Sequence, residues 1–336
     1  MKEALFYDKT DDGRVNCRLC PHNCAGIAEG RTGLCRVRRN EGGRLVSLIY
    51  GQVASAHVDP IEKKPLYHFH PGSDILSIGT WGCNFHCEWC QNWEISQQSV
   101  PTETMPPERI AQRAGEGGSI GVAYTYNEPS IWFEYVLECA AAVRDAGKVN
   151  VLVTNGFINP EPAARWLPLI DALNVDVKGM DDALYRKHAG GRLQPVLDAC
   201  VQARKSSHVE ITNLVIPTLN DSDDHFHRLG KWMSGYLGRE TPLHLSAYFP
   251  RYRMKVDATP TGTLERACGI CSQYLDYVYT GNAWTPAGRD TRCKTCGATL
   301  VSRSGYRVEV QELNGPKCAR CGGPSDVVAN ASRPKG

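Results

Sequence analysis

"GVAYTYNEPSIWFEYVLECAAAVRDAGKVNVLVTNG" (residues 121–156) contains a strand, a helix and a second strand in succession. Its two ends, 121–126 and 149–156, are short apolar runs, and 130–147 has the periodicity of an amphipathic helix that stops at Gly147. Two strands joined through a helix form a parallel βαβ unit, because parallel strands need a crossover connection. The stretch therefore predicts an α/β fold with a parallel sheet.

The same alternation of strands and helices runs through the middle of the chain. Further strands are predicted at 74–79, 172–179, 208–217, 242–248 and 277–282. Six or seven such units fit a barrel, and we predict a partial (β/α)6 TIM-type barrel over residues 73–285. A doubly wound open sheet is the alternative. In either fold, the chemistry belongs at the carboxyl ends of the strands.

Composition indicates a globular protein with an unusual number of cysteines. The formal charge of +2 on 336 residues makes nucleic acid an unlikely main ligand. Apolar runs of about 18 residues and a signal pattern are both missing, so we expect a cytoplasmic location and no membrane partner. In a reducing cytoplasm, fifteen cysteines indicate metal binding or chemistry rather than disulfides.

Eleven of the cysteines form three groups, which suggest the domain boundaries. The groups are Cys17, Cys20, Cys24 and Cys35; Cys83, Cys87 and Cys90; and Cys293, Cys296, Cys318 and Cys321. We predict a cysteine-rich N-terminal region (1–72), the barrel, a C-terminal domain (286–328) and a disordered tail (329–336).

The middle group lies in "GCNFHCEWCQNW" (82–93), directly after the first predicted barrel strand. Four thiolates would saturate a zinc ion or a [4Fe–4S] cluster, whereas three leave one iron of the cluster without a protein ligand. A small molecule can then bind that iron through its own donor atoms. A zinc site completed by His86 is the alternative.

The two outer groups have four cysteines each. For Cys17-x2-Cys20-x3-Cys24-x10-Cys35 we predict zinc or an auxiliary [4Fe–4S] cluster, with zinc preferred; reduced cysteines that only pack are a third interpretation. The C-terminal group has two CxxCG knuckles, which are typical of a structural zinc ribbon. A single iron bound as in rubredoxin is the alternative there.

The CxxxCxxC spacing, with Trp89 just before the last cysteine, resembles the signature of radical S-adenosylmethionine (SAM) enzymes. This resemblance implies that the methionine moiety of SAM chelates the open iron. It also implies that one electron from the cluster cleaves the sulfonium to a 5′-deoxyadenosyl radical, which abstracts hydrogen from a substrate. Trp89 is accordingly a candidate cofactor-binding residue.

Further segments resemble the cofactor site of this family. "YNEP" stands where the family has a GGE-type motif, so Glu128, next to Asn127, is expected to hold the ammonium group of SAM. A carboxylate that only caps a helix is the alternative. "TNG" and "DVK" resemble segments of glycyl-radical activating enzymes that line the ribose and carboxylate side of SAM. They contain Thr154 and Asn155, and Asp176 and Lys178; a purely structural Asp–Lys pair is the alternative.

Eight ordered segments between residues 14 and 285 resemble the radical SAM component of the AmmeMemoRadiSam system, a relative of pyruvate formate-lyase activating enzymes. The resemblance implies a radical SAM oxidoreductase with an unidentified substrate, an electron donor of flavodoxin or ferredoxin type, and association with Memo-like and Amme-type proteins. The charged run at residues 62–64 is expected to be exposed, but it lies in one of these segments, so a place at the active-site mouth is the alternative. Alternatives are a glycyl-radical enzyme activase and a non-catalytic metal-binding scaffold.

Overall fold

The computed structural model describes residues 1–283, 285 and 288–329. Its main feature is an eight-stranded sheet whose strands lie side by side in chain order. The first pair is antiparallel, and every later pair is parallel. The strands are β1 (Ser55–Pro60), β2 (Asp74–Gly79), β3 (Gly121–Tyr124), β4 (Val149–Thr154), β5 (Ala172–Asp176), β6 (His208–Val215), β7 (Leu243–Ala247) and β8 (Val278–Gly281).

A helix follows each of the strands from β2 to β7. These helices are α1 (Pro107–Glu116), α2 (Phe133–Asp145), α3 (Pro160–Trp166), α4 (Leu193–Ala203), α5 (Asp223–Tyr236) and α6 (Thr261–Cys271). A doubly wound sheet has a point at which strand order reverses, but this sheet runs in one direction. The predicted parallel α/β sheet is confirmed, and the doubly wound alternative is wrong.

Strand β1 extends the sheet beyond the predicted start of the barrel at residue 73. Residues 55–60 pair antiparallel with β2, although the sequence analysis placed them in the cysteine-rich N-terminal region. The rest of that region forms a hairpin of Tyr7–Lys9 with Val15–Cys17 and a small sheet of Lys2–Glu3, Arg44–Ser47 and Arg38–Glu41.

A buried ion pair attaches the N-terminal region to the barrel. The Arg38 guanidinium donates to both carboxylate oxygens of Glu134 on α2, at 2.8 and 3.2 Å. The two side chains are 1% and 3% exposed. Such a pair holds its partners firmly, because loss of either would leave a buried charge unpaired.

The C-terminal region has its own small core. Strands Thr291–Arg292, Thr299–Ser304 and Arg307–Val310 form an antiparallel sheet, and Leu313–Asn314 pairs with Lys317–Cys318. Cys293, Leu300, Val301 and Cys318 are buried together. The predicted disordered tail (329–336), apart from Ala329, lies outside the described residues.

None of the helices in the described part of the chain combines the length and the apolar character that crossing a bilayer requires.

Candidate functional site

A cavity of about 860 Å³ is lined by residues of all eight strands or of the loops that follow them. Side chains two residues apart on a strand point to the same face, which is why Asn174 and Asp176 of β5 both reach it. The structure brings all ten residues predicted for the cluster and SAM to this cavity: Cys83, Cys87, Trp89, Cys90, Asn127, Glu128, Thr154, Asn155, Asp176 and Lys178. Glu62, Lys63 and Lys64 also line it.

The loop that contains the three cysteines has a well-defined backbone. Gly82 has a φ of +89°, and a Cβ there would lie 2.7 Å from Val37 Cγ1, so only glycine fits. The Asn84 side chain donates to the Phe157 carbonyl oxygen at 2.8 Å. The His86 amide donates to the Ala189 carbonyl oxygen at 2.8 Å. These bonds hold the loop against the segments that follow β4 and β5.

Two thiols of this loop, Cys83 and Cys87, are protonated in the absence of a metal. Burial raises the pKa of Cys83 well above its usual value and that of Cys87 to about 12. Only the thiolate is a metal ligand, so a bound cation must displace these protons. Lys178 opposes the effect of burial on the pKa of Cys87 and favours the thiolate.

Glu128 connects the ends of β3 and β4 through hydrogen bonds. Its carboxylate accepts from the Ser130 amide at 2.9 Å, the Thr154 hydroxyl at 2.7 Å and the Asn155 amide at 2.8 Å. Burial raises the pKa of Glu128, and the same hydrogen bonds counteract this shift. A carboxylate offers about four lone-pair sites, so Glu128 can accept one more hydrogen bond from a ligand in the cavity.

The predicted Asp176–Lys178 pair is formed, with 2.8 Å between Lys178 Nζ and Asp176 Oδ2. Burial alone would lower the pKa of Lys178, but Asp176 and Cys87 outweigh burial and raise it. Lys178 is therefore charged at neutral pH. The Asp176–Lys178 pair lies on the cavity wall. It can therefore stabilise the fold and also contact a ligand.

Trp89 and Asn127 take different positions on the wall. Trp89 is buried, with its ring 6.5 Å from that of His188, which in turn contacts Glu88 at 2.8 Å. The Asn127 side-chain amide donates to the Gly82 carbonyl oxygen at 2.9 Å, and its oxygen accepts from the Thr80 amide at 3.3 Å. Asn127 thus supports the cysteine loop in addition to lining the cavity.

A charged cluster around Asp59 was missed by the sequence analysis. Asp59 Oδ2 accepts from the Tyr126 hydroxyl at 2.7 Å and from Lys64 Nζ at 2.9 Å. Burial would raise the pKa of Asp59, but these hydrogen bonds outweigh it and hold the pKa below the usual value. Tyr126 adopts a φ of +72°, a conformation that non-glycine residues rarely take. A polar "VDPIEKKP" segment next to a predicted strand was the available signal.

The C-terminal region contacts both edges of the sheet and lines the cavity. Val328 exchanges backbone hydrogen bonds with His68 and His70, just after β1, at 2.7 and 2.6 Å. The Gly288 carbonyl oxygen accepts from the Thr280 amide of β8 at 2.9 Å. This region therefore spans the gap between β1 and β8, where a partial barrel is otherwise open.

Arg303 is the C-terminal side chain that reaches furthest into this arrangement. It is 3% exposed, lines the cavity and stacks over the Tyr67 ring at 4.2 Å. It donates to the Tyr67 carbonyl oxygen at 2.7 Å and to the Thr291 hydroxyl at 2.8 Å. These hydrogen-bond partners are neutral, and Arg303 is also close enough to the Glu62 carboxylate to oppose the rise in its pKa. Its distance in sequence from the barrel motifs explains why it was not predicted.

The four C-terminal cysteines converge on a point. Their sulfur atoms all lie within 4.8 Å of one another, with 3.7 Å between Cys293 and Cys321 and 3.8 Å between Cys296 and Cys318. Amide hydrogen bonds from Cys296 and Thr295 lower the pKa of Cys293 to about 6. Tetrahedral zinc with bonds of about 2.3 Å requires sulfur atoms about 3.8 Å apart, so this geometry suits one metal ion.

The four N-terminal cysteines do not line the cavity. Cys17 ends the second strand of the first hairpin, and the other three lie in the loops that follow it. Cys17 and Cys35 are buried, and Cys20 and Cys24 are partly exposed. Burial raises the pKa of Cys20, Cys24 and Cys35. The structure therefore gathers these thiols in one place but keeps them apart from the predicted cofactor site.

A sequence profile of the Radical SAM superfamily matches residues 77–230, which include the cysteine loop and Glu128. The chain is 41% identical to an uncharacterized protein of Methanocaldococcus jannaschii, over 98% of this chain and 100% of that protein. It is 28% identical to pyruvate formate-lyase 1-activating enzyme of Escherichia coli, over 57% of this chain and 86% of that enzyme. The chain belongs to the radical SAM superfamily. It is therefore an enzyme, with homology to pyruvate formate-lyase activating enzymes.

The fold of this radical SAM enzyme is similar to that of a solved structure. Streptococcus suis SuiB bound to S-adenosylmethionine matches with a TM-score of 0.50 and 14% sequence identity, over 64% of this chain and 50% of SuiB. The chain thus spans about half the length of SuiB. At this identity the similarity concerns the fold alone.

Membership of the superfamily implies a [4Fe–4S] cluster and SAM, and the residues present fit both groups. Three thiols on one loop supply a donor set that leaves one iron open. Glu128 offers a buried carboxylate in the same cavity, close enough to Cys83 to raise the pKa of that thiol. The three thiols and the Glu128 carboxylate therefore lie next to one another in the cavity.

Proposed function

We propose that this enzyme cleaves SAM reductively at a [4Fe–4S] cluster bound by Cys83, Cys87 and Cys90, and that a substrate in the same cavity loses a hydrogen atom. The shared cavity of these cysteines with Glu128 and the Asp176–Lys178 pair carries the proposal. When bound, the cluster and SAM supply the 5′-deoxyadenosyl radical. The protein supplies binding, orientation and exclusion of water.

Specific roles follow from the contacts of each residue. Glu128, fixed by three donors, accepts the SAM ammonium group with its remaining lone pairs. Thr154 and Asn155 hold Glu128 in place, and Asp176 faces the ribose side with its charge balanced by Lys178. Trp89 packs against the cofactor next to Cys90. Lys178 also favours the charged form of Cys87.

The substrate that best suits this cavity is a small molecule with an anionic group. The C-terminal region spans the gap between β1 and β8, whereas a protein substrate would need an open barrel face. Arg303 places a buried guanidinium with neutral hydrogen-bond partners on the cavity wall, and an anionic group of a substrate would pair with it. Activation of a glycyl-radical enzyme is the second candidate, favoured by the similarity to the Escherichia coli activating enzyme.

The proposal also includes a structural zinc ion, partner proteins and a cellular location. The sulfur spacing of Cys293, Cys296, Cys318 and Cys321 supports a structural zinc ion. The order of the eight segments that resemble this system supports a place in the AmmeMemoRadiSam system, with Memo-like and Amme-type partners. A flavodoxin or ferredoxin in the cytoplasm would supply the electron, and a reducing compartment keeps the thiols available for metal.

Deuterium transfer separates the two candidate functions. An extract of cells grown on deuterated medium is divided by ultrafiltration into small molecules and proteins, and each fraction is added to the reduced enzyme with unlabelled SAM. We expect deuterium in 5′-deoxyadenosine with the small-molecule fraction. Deuterium from the protein fraction alone would contradict the small-substrate proposal and favour the activase. Cys87→Ala enzyme serves as the control that forms no 5′-deoxyadenosine.

A further inference from the structure

The four N-terminal thiols come from one short folded stretch of the chain, residues 17–35. The Cys17 amide donates to the Cys24 carbonyl oxygen at 2.8 Å, which folds the loop back onto the strand Val15–Cys17. Cys17 and Cys35 are buried, and Cys20 and Cys24 pack against the same core. Four cysteines gathered on one short stretch of chain form a complete donor set for a metal.

Backbone amides point at three of these sulfur atoms. The Leu34 amide donates to Cys24 Sγ at 3.5 Å. Hydrogen bonds from the His22 and Val37 amides lower the pKa of Cys20 and Cys35, respectively. Amide donors to sulfur are a recurrent feature of metal–thiolate sites, because they stabilise the charge on the ligand. These amide donors favour the thiolate, although burial still raises the pKa of the three thiols overall.

The spacing of the sulfur atoms excludes a single tetrahedral ion in this arrangement. Among the described residues, the C-terminal cysteines form a group with all ligand atoms within 4.8 Å, but no three of the N-terminal sulfurs do. Cys83, Cys87 and Cys90 are likewise too widely spaced to form such a group. The N-terminal thiols thus share the wider spacing of the cluster loop, not the spacing of the ribbon. A larger unit with several iron ions fits them.

Histidine does not replace one of the four ligands here. His22 Nε2 lies 2.7 Å from the Asn84 carbonyl oxygen, and the His22 ring packs against Phe157 at 5.0 Å. The imidazole is thus engaged with the neighbouring cysteine loop. Four cysteines remain as the donor set, which saturates a [4Fe–4S] cluster and leaves no open iron.

The N-terminal cysteines and the loop with Cys83, Cys87 and Cys90 are neighbours, and the contact of His22 with Asn84 is part of their interface. Asn84, which His22 contacts, is next to Cys83. A Cβ on Gly82 would lie 3.1 Å from the Cys35 carbonyl oxygen. On the other side, Arg36 donates to the Ser96 carbonyl oxygen at 3.0 Å, and Ser96 Oγ lies 3.1 Å from Cys90 Sγ. A single layer of residues therefore separates the two sites.

We propose that Cys17, Cys20, Cys24 and Cys35 bind a second [4Fe–4S] cluster, fully ligated by protein, directly behind the cluster that binds SAM. This replaces the zinc ion that was preferred at these positions on the cysteine spacing alone. The site is independent of SAM cleavage, so it stands or falls separately from the proposed function.

Metal content of a variant without the SAM-binding cluster tests the proposal. The full-length triple variant Cys83→Ala/Cys87→Ala/Cys90→Ala is reconstituted anaerobically with iron and sulfide, desalted and assayed for iron, sulfide and zinc. We expect about four iron and about four sulfide per chain, with the Mössbauer signature of a [4Fe–4S] cluster, and about one zinc from the ribbon. About two zinc with no iron, or one zinc with no iron, would overturn the proposal.

Two further variants test whether the N-terminal cysteines bind the remaining iron. Adding Cys20→Ser and Cys24→Ser to the triple variant should remove the remaining iron but leave the ribbon zinc, which also reports that the chain has folded. Iron that persists in this variant would contradict the assignment. The matched control adds Cys268→Ala and Cys271→Ala instead, because these buried cysteines lie on helix α6 away from both sites. Its iron content should equal that of the triple variant.

Discussion

The Thr154 hydroxyl donates a hydrogen bond of 2.7 Å to Glu128, and so ties the end of one barrel strand to the loop after its neighbour. The Asn155 amide adds a second bond to the other carboxylate oxygen at 2.8 Å. Both donors come from the "TNG" segment, which follows β4. A carboxylate held from two directions is already oriented when its ligand arrives, so binding costs less ordering entropy.

Glu128→Gln should weaken SAM binding. The substitution removes the negative charge that pairs with the ammonium group, and a charge-assisted hydrogen bond contributes about 1.5 kcal/mol or more, which is about tenfold in Kd. Equilibrium dialysis of SAM against the anaerobically reconstituted enzyme measures the change. Glu116→Gln, at the exposed end of helix α1, is the control and should bind SAM as the wild type does. An unchanged Kd in Glu128→Gln would remove Glu128 from the SAM site.

Arg38→Met should destabilise the protein strongly. It leaves the Glu134 carboxylate buried without its partner, and breaking a buried pair in this way costs about 3–5 kcal/mol. Arg186→Met breaks a surface pair with Asp182 and should cost less than about 1 kcal/mol. Denaturant unfolding of both variants gives the comparison. Equal losses in the two variants would show that the Arg38–Glu134 contact does not anchor the N-terminal region.

Stability should fall as the pH decreases from about 6.5 towards 4. Burial lowers the pKa of His68 to about 4, against the opposing effect of Glu210. Between these pH values the unfolded chain therefore binds a proton that the folded chain does not. At about 1.4 kcal/mol per pH unit, His68 alone reduces the free energy of unfolding by about 2 kcal/mol between pH 6.5 and pH 5.

Variants of His68 check this assignment. Equilibrium unfolding at pH 7 and pH 5 should show a loss that is about 2 kcal/mol smaller in His68→Gln than in the wild type. His57→Gln, on the exposed part of strand β1, should leave the pH dependence unchanged. If His68→Gln retains the full wild-type loss, another group is responsible for it.

Periodicity predicted the parallel strands well because their signal is local. All seven predicted strands exist, with ends that differ by a few residues, and their connection through helices predicted the parallel sheet. Strand β1 was missed because it is an edge strand with exposed side chains. Val58 is 46% exposed, so "SAHVDP" lacks the apolar pattern of its buried neighbours.

The site was predictable where a motif is local and unpredictable where distant segments meet. The cysteine loop, Glu128 and the Asp176–Lys178 pair lie in short motifs at strand ends. Asp59 and Arg303 reach the cavity from an edge strand and from the C-terminal region, which only tertiary packing brings there. The spacing of the N-terminal sulfurs, which changed the preferred metal, is also a property of the folded chain alone.

The central measurement is the yield of 5′-deoxyadenosine from SAM, determined by chromatography with anaerobically reconstituted, dithionite-reduced protein. We expect 5′-deoxyadenosine with the wild type and none with Cys87→Ala, which keeps the zinc of the C-terminal cysteines. Brown wild-type protein that binds SAM and yields no 5′-deoxyadenosine, or a Cys87→Ala variant that still forms it, would contradict SAM cleavage at this cysteine loop.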